Sequence, residues 1–97
     1  MILNNPNNPS GRILNKEFLS GLSHFLNKNS IWLILDEVYK DLTFSGTRDL
    51  HKGLTNYTNV VRIGSLSKSM AIPGMRIGYV VGNSDFVENF NLFNQHI

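Results

Sequence analysis

The apolar positions of the chain fall into short blocks whose internal spacing changes along the sequence. Ile31, Trp32, Leu33, Ile34 and Leu35 form a continuous run that stops at Asp36 and Glu37, the pattern of a strand buried on both faces. Upstream, Phe18, Leu19, Leu22, Phe25 and Leu26 recur at i, i+1, i+4, i+7 and i+8, which is one face of a helix. Asn15 would cap its start and Asn29 would stand at its C′ position. Met1 to Leu3 is a short apolar run, followed by the turn formers Asn4, Asn5, Pro6, Asn7, Asn8, Pro9, Ser10 and Gly11; this reads as a strand and a loop. Strand, helix and strand make a βαβ unit with parallel strands. Val60 to Gly64 and Arg76 to Val81 are two further candidate strands. The connector between them, Ser65 to Met75, contains Pro73 and Gly74 and is about the shortest that could hold a parallel crossover, so the last strand is expected to run antiparallel. Ser84 would cap a final helix with the apolar face Phe86, Val87, Phe90 and Phe93. The less regular stretch Val38 to Tyr57 is expected to hold one helical turn and a short strand around Leu42 to Phe44. The fold class is α/β: a mostly parallel sheet with one antiparallel strand and flanking helices.

In an open parallel sheet, ligands bind beyond the carboxyl ends of the strands. Those ends lead into Asn5 to Gly11, Asp36 to Tyr39 and Ser65 to Lys68, and an antiparallel strand would begin with Arg76 on the same edge. Polar groups from distant parts of the chain therefore share one rim. Composition narrows what they could do. Nine Lys plus Arg against seven Asp plus Glu leave a net charge of only +2. The basic residues form no block interleaved with aromatics, which argues against nucleic acid. There is no cysteine, and His24, His51 and His96 are scattered, so no metal is expected. The continuous apolar run is far below the roughly 18 residues of a membrane span, and the start turns polar at Asn4, where a signal peptide needs an apolar region. A soluble, cytoplasmic protein is expected. At 97 residues the chain is one domain at most or part of one, and a chain of this size has little core to spare.

Several of these residues have plain readings when taken singly. Asp36 could be the N-cap of the turn that follows it, Tyr39 an amphipathic core tyrosine, and the Asn and Pro string simply a turn. Lys68, among Ser65, Ser67 and Ser69, could be a solvated surface lysine, although a lysine in such small hydroxyl company just past a buried strand has little structural purpose. A nucleotide loop is a poor match: Ser67 stands where a glycine should precede the lysine, Arg62 where another glycine is needed, and the lysine follows the acidic strand instead of preceding it. Ser65 to Lys68 also satisfies S-x-x-K, but the companion S-D-N and K-T-G motifs are absent.

Taken together, Asn8-Pro9-Ser10-Gly11, Asp36-Glu37-Val38-Tyr39, Ser65-Leu66-Ser67-Lys68 and the run Ile72 to Tyr79 resemble the class I/II aminotransferases, pyridoxal-phosphate enzymes of fold type I. The resemblance runs from Asn4 to about Asn83, with the motifs in family order. It implies that residues 1–97 are part of the large, cofactor-binding domain, with the N-terminal part of that domain and a C-terminal small domain lying outside the chain. It implies Lys68 as the amine that forms the Schiff base with the cofactor and later moves the substrate's alpha proton. Asp36 would face the pyridine nitrogen, Asn8 and Tyr39 the ring's 3′ oxygen, and Ser65, Ser67 and Arg76 the phosphate. The implied activity is amino-group transfer between an amino acid and a 2-oxo acid by a homodimer. A lyase or decarboxylase of the same fold is the alternative, as is a non-catalytic remnant or binding module, and the chain alone is expected to be inactive. The Asn-Pro-Asn-Asn-Pro string leans towards the histidinol-phosphate branch of the family.

Overall fold

A computed structural model describes residues 1–44, 51 and 53–95. The elements are β1 (Ile2–Asn4), α1 (Lys16–Lys28), β2 (Leu33–Asp36), β3 (Val60–Ser65), α2 (Leu66–Ser69), β4 (Gly78–Val81) and α3 (Ser84–Gln95), with 3₁₀ turns at Leu54–Asn56 and Pro73–Met75. The strands lie in the order β1-β2-β3-β4. β1, β2 and β3 are parallel, and β4 is antiparallel to β3, as expected from the short connector. Asn4 pairs with Asp36, Asp36 with Ile63, and Ser65 with Gly78. One edge of the sheet thus collects the three parallel carboxyl ends and the start of β4.

Side chains alternate across the sheet. Leu33 and Leu35 of β2 and Val60 of β3 are buried with Leu19 and Leu26 of α1 and Leu54. Ile34 and Asp36 face the other way and are only half-buried, so β2 is not enclosed on both sides as its unbroken apolar run suggested. The reason is unequal cover. α1 closes the first face, whereas the second carries α3, whose Phe86 ring lies tilted against Trp32 at 5.7 Å between ring centroids. Ile31 and Trp32 lie ahead of the strand and are exposed. On α1 the buried stripe is Leu19, Ser23 and Leu26, narrower than the periodicity indicated, with Phe18 and Phe25 more than half exposed at 54% and 59%.

The helix ends show where local chemistry was shifted by one residue. Asn15 caps α1 as expected, its Oδ1 accepting from Phe18 N–H at 2.8 Å. Asn29, however, keeps a negative φ of −97° and donates its side-chain amide to Phe25 O at 2.8 Å. The left-handed reversal falls instead on Ser30, at φ 56°. At α3 the cap is Asn83 rather than Ser84: its Oδ1 accepts from Phe86 N–H, and its amide also donates to Thr58 O. The amide makes both bonds at once because its donor and acceptor are separate atoms.

The residues after β2 turn tightly, Lys40 N–H donating to Glu37 O and Leu42 N–H to Tyr39 O. Leu42 to Phe44 form no strand: the Leu42 N–H is spent on the turn, and Leu42 and Phe44 are exposed; residues 45–50 and 52 of the irregular stretch lie outside the described residues. Arg76 is not the first residue of β4. It ends the Pro73–Met75 turn in left-handed conformation, φ 49° and ψ 44°. Among the described residues no helix is long and apolar enough to cross a membrane, and no group of three or more His, Cys, Asp or Glu could hold a metal.

Urea unfolding monitored by circular dichroism should show Leu35→Ala, at a fully buried position, to cost about 2–5 kcal/mol. Asn15→Ala, losing one cap bond, should cost about 1 kcal/mol.

Candidate active site

Each arm of the rim is set by local rules. The loop after β1 is tied to itself: Asn4 Oδ1 accepts from Asn8 N–H at 2.8 Å, and Asn7 Oδ1 accepts from the Ser10 hydroxyl at 2.6 Å. This places Asn8 so that its amide donates to Tyr39 Oη at 2.9 Å, across 31 residues of sequence. Asp36 ends β2, paired with Asn4 of β1 on one side and Ile63 of β3 on the other. Its Oδ1 accepts from Val38 N–H at 3.2 Å, the turn-capping role of its plain reading, and among the described residues its second oxygen has no hydrogen-bond partner.

Ser65, Ser67, Lys68 and Arg76 line a second part of the rim, an open cleft of about 240 Å³ that also touches Val38, Ile77 and Gly78. Lys68 lies on the short helix α2, not in an open loop. Its side chain is exposed, as is that of Arg76, and neither forms an ion pair among the described residues. The serines also fasten the cleft. Ser67 Oγ is buried and accepts from Ile77 N–H at 3.3 Å, while Ser65 Oγ donates weakly to Ile77 O at 3.5 Å. The structure thus joins Asn8 to Tyr39 and gathers Ser65, Ser67, Lys68 and Arg76 in one cleft, and Asp36, which lines neither place, has no hydrogen bond to either group.

Behind the rim lies a cluster that residue patterns did not single out. Glu37 is 1% exposed and accepts from His51 Nδ1 at 2.7 Å, from Arg62 Nε and an Arg62 terminal nitrogen at 3.0 Å each, from Tyr79 Oη at 3.1 Å and from Lys40 Nζ at 3.3 Å. The Tyr79 ring lies over Gly64, where any side chain would collide with it. Burial raises the pKa of Glu37, but the bonds from His51 and Arg62 and the charges of Arg62 and Lys40 outweigh it, taking the carboxyl from 4.5 to about 2. Burial raises that of Tyr79 as well. The available signal in the sequence was Arg62, a charge inside an otherwise apolar strand, which had to find a buried carboxylate.

The model of the class I and II aminotransferases matches residues 1–97. The chain belongs to this family. It is 35% identical over its whole length to a histidinol-phosphate aminotransferase of Clostridium beijerinckii, covering 26% of that protein. Among solved structures, the aminotransferase AspB of Helicobacter pylori superposes with a TM-score of 0.82 at 35% identity, over 95% of this chain and 26% of that one. A pyridoxal-phosphate-bound C–S lyase of Staphylococcus hominis superposes with a TM-score of 0.79 at 30% identity, over 94% and 24%. The chain thus spans about a quarter of the length of the relatives it matches, and its sheet has the architecture of the large domain of fold type I pyridoxal-phosphate enzymes.

The depressed pKa of Glu37 has a measurable sign. With the folded value near 2 and the ordinary value at 4.5, ionised Glu37 contributes stability that is fully present above about pH 5 and is lost as the pH falls towards 2. Urea midpoints measured across that window should fall for the wild-type chain, and should fall less for Glu37→Gln, whose starting stability is lower.

Proposed function

We propose that the rim is a pyridoxal-phosphate site serving amino-group transfer between an amino acid and a 2-oxo acid. One observation carries the reading: a primary amine, a guanidinium and two hydroxyls share a cleft whose wall includes Val38, the residue whose N–H donates to Asp36, and the hydrogen-bonded Asn8–Tyr39 pair stands on the same edge of the sheet. That donor set fits the cofactor's chemistry. When bound, pyridoxal phosphate supplies an aldehyde for covalent attachment and an electron-poor ring that withdraws charge from the substrate's alpha carbon.

The residues divide the work by their chemistry. Arg76 offers a planar fork to phosphate oxygens, and its left-handed backbone aims it from the turn rather than from the strand. Ser67 Oγ accepts from Ile77 N–H, which leaves its own proton to donate to an anion; Ser65 Oγ, weakly held, can rotate to do the same. Asp36, with one oxygen open, would be the residue to hold a protonated ring nitrogen. Because Asn8 donates to Tyr39 Oη, the phenol proton points away from Asn8 and is available to a ring oxygen. Lys68 Nζ would be the covalent anchor and, as a free amine, the group to take and return a proton. A homodimeric holoenzyme in the cytoplasm accompanies this reading. Lyase or decarboxylase chemistry on the same groups is a second reading, favoured by the likeness to the C–S lyase.

Borohydride reduction of the chain with pyridoxal phosphate should label Lys68, and Lys68→Ala should lose the label; label spread over Lys16 or Lys28 instead would sink the proposal. Arg76→Ala should weaken binding about tenfold or more, the worth of charge-assisted hydrogen bonds of about 1.5–3 kcal/mol. With an amino acid and a 2-oxo acid, transfer keeps the nitrogen in a new amino acid, whereas a lyase releases ammonia.

A further inference from the structure

His51 is 3% exposed, and it stands between the bases of the two arms that bring Asn8 to Tyr39. Its Nδ1 is 2.7 Å from Glu37 Oε2 and its Nε2 is 3.0 Å from Asn5 Nδ2. The direction of these bonds follows from the far end of the chain of groups. Asn5 Oδ1 accepts from Leu14 N–H at 2.8 Å, so the Asn5 amide nitrogen is what faces the ring. Nε2 therefore accepts, and Nδ1 carries the proton that it donates to Glu37.

Both ends of this chain of groups lead directly into the Asn8–Tyr39 contact. Asn5 opens the loop that carries Asn8, three residues later. Glu37 opens the turn that carries Tyr39, its carbonyl accepting from Lys40 N–H at 3.0 Å. The Asn5 backbone N–H is itself held by Asp36 O at 2.9 Å. We infer that His51 is a positioning residue for the Asn8–Tyr39 pair: a rigid ring of fixed span, bonded at both ends, that sets how far the loop after β1 stands from the turn after β2. The inference rests on reading Asn8 and Tyr39 as the groups that serve the cofactor's ring oxygen. In that role their spacing decides whether the phenol proton is aimed outward, since a hydrogen bond weakens steeply with misalignment.

Two substitutions separate the ends of the ring. His51→Asn places an amide near the position of Nδ1, keeping a donor for Glu37, but does not reach Asn5. His51→Gln reaches the position of Nε2 and offers Asn5 a carbonyl. Glu37 retains both bonds from Arg62 in either variant, so the sheet has no cause to come apart, and the backbone amides of Leu33, Leu35 and Val60 report that it has not. The readout is the side-chain amide resonance of Asn8 in the nitrogen-15-labelled chain, without added pyridoxal phosphate. Tyr39→Phe defines the position of that resonance when the phenol is missing. His51→Asn is expected to move the Asn8 resonance to the Tyr39→Phe position, and His51→Gln to leave it at the wild-type position. An Asn8 resonance unmoved by His51→Asn, unmoved by Tyr39→Phe, or lost equally in His51→Gln overturns the inference. Because no cofactor is present, that failure is distinct from a failure to label Lys68.

Discussion

A carboxylate buried this deeply is costly to ionise unless several donors converge on it, and Glu37 meets that requirement by drawing on most of the sheet. Its own backbone N–H donates to Ile63 O in β3, Arg62 reaches it from β3, Tyr79 from β4, and His51 relays it to Asn5 at the end of β1. Hydrophobic burial between α1 and the sheet supplies cohesion but has no direction. The bonds to Glu37 do have direction. A pair of nitrogens on Arg62 must meet a pair of oxygens, a ring must fit between two partners, and a phenol must lie flat over Gly64. Register among the strands is therefore specified just beneath the rim, where small errors would displace the candidate site most.

The same contact decides which way Asp36 points. Arg62 and Tyr79 lie on the α1 side of the sheet, in register with Leu35 and Gly64, and Glu37 is held against them. Asp36 precedes it and projects from the opposite face, because neighbouring side chains on a strand alternate. Two adjacent acids thus meet different surroundings: one is enclosed by cations and phenol, the other is half-exposed with an oxygen to spare. A one-residue slip would exchange them, and the cost of leaving Arg62 without its carboxylate opposes that slip.

What could be read from the residues follows from how local each feature is. The parallel strands, the antiparallel β4 and the Asn15 cap depend on periodicity, connector length and a single side chain, and all are legible without coordinates. The shared rim follows from strand direction alone. Competition between neighbours is less legible: Asn29 and Ser30 could both have made the reversal after α1, and Asn83 and Ser84 could both have capped α3. In each case an asparagine amide found a second bond that decided the outcome. Least legible is the Glu37 cluster, whose partners other than Lys40 are 14, 25 and 42 residues away. No window of the sequence contains such contacts, and only Arg62, out of place in its strand, marked that something buried had to answer it.

The division between the two sides of the rim has a physical logic of its own. Replacing an enclosed ion pair with well-packed apolar residues often costs little stability, so stability alone does not explain a Glu37 surrounded by Arg62, Lys40, His51 and Tyr79. Geometry does, because an apolar plug could hold the strands together yet would leave the loop that carries Asn8 and the turn that carries Tyr39 without a bonded side-chain spacer between them. The cluster also confines charge. Glu37 is matched within its own enclosure by Arg62 and Lys40, so its field is largely compensated before it reaches the rim. The cationic Lys68 and Arg76 and the open oxygen of Asp36 are then left as the charges that a ligand entering from solvent would meet. The proposed site, with an anionic group at one end and a protonated ring at the other, would need that separation, and the opposite facing of the adjacent Asp36 and Glu37 supplies it.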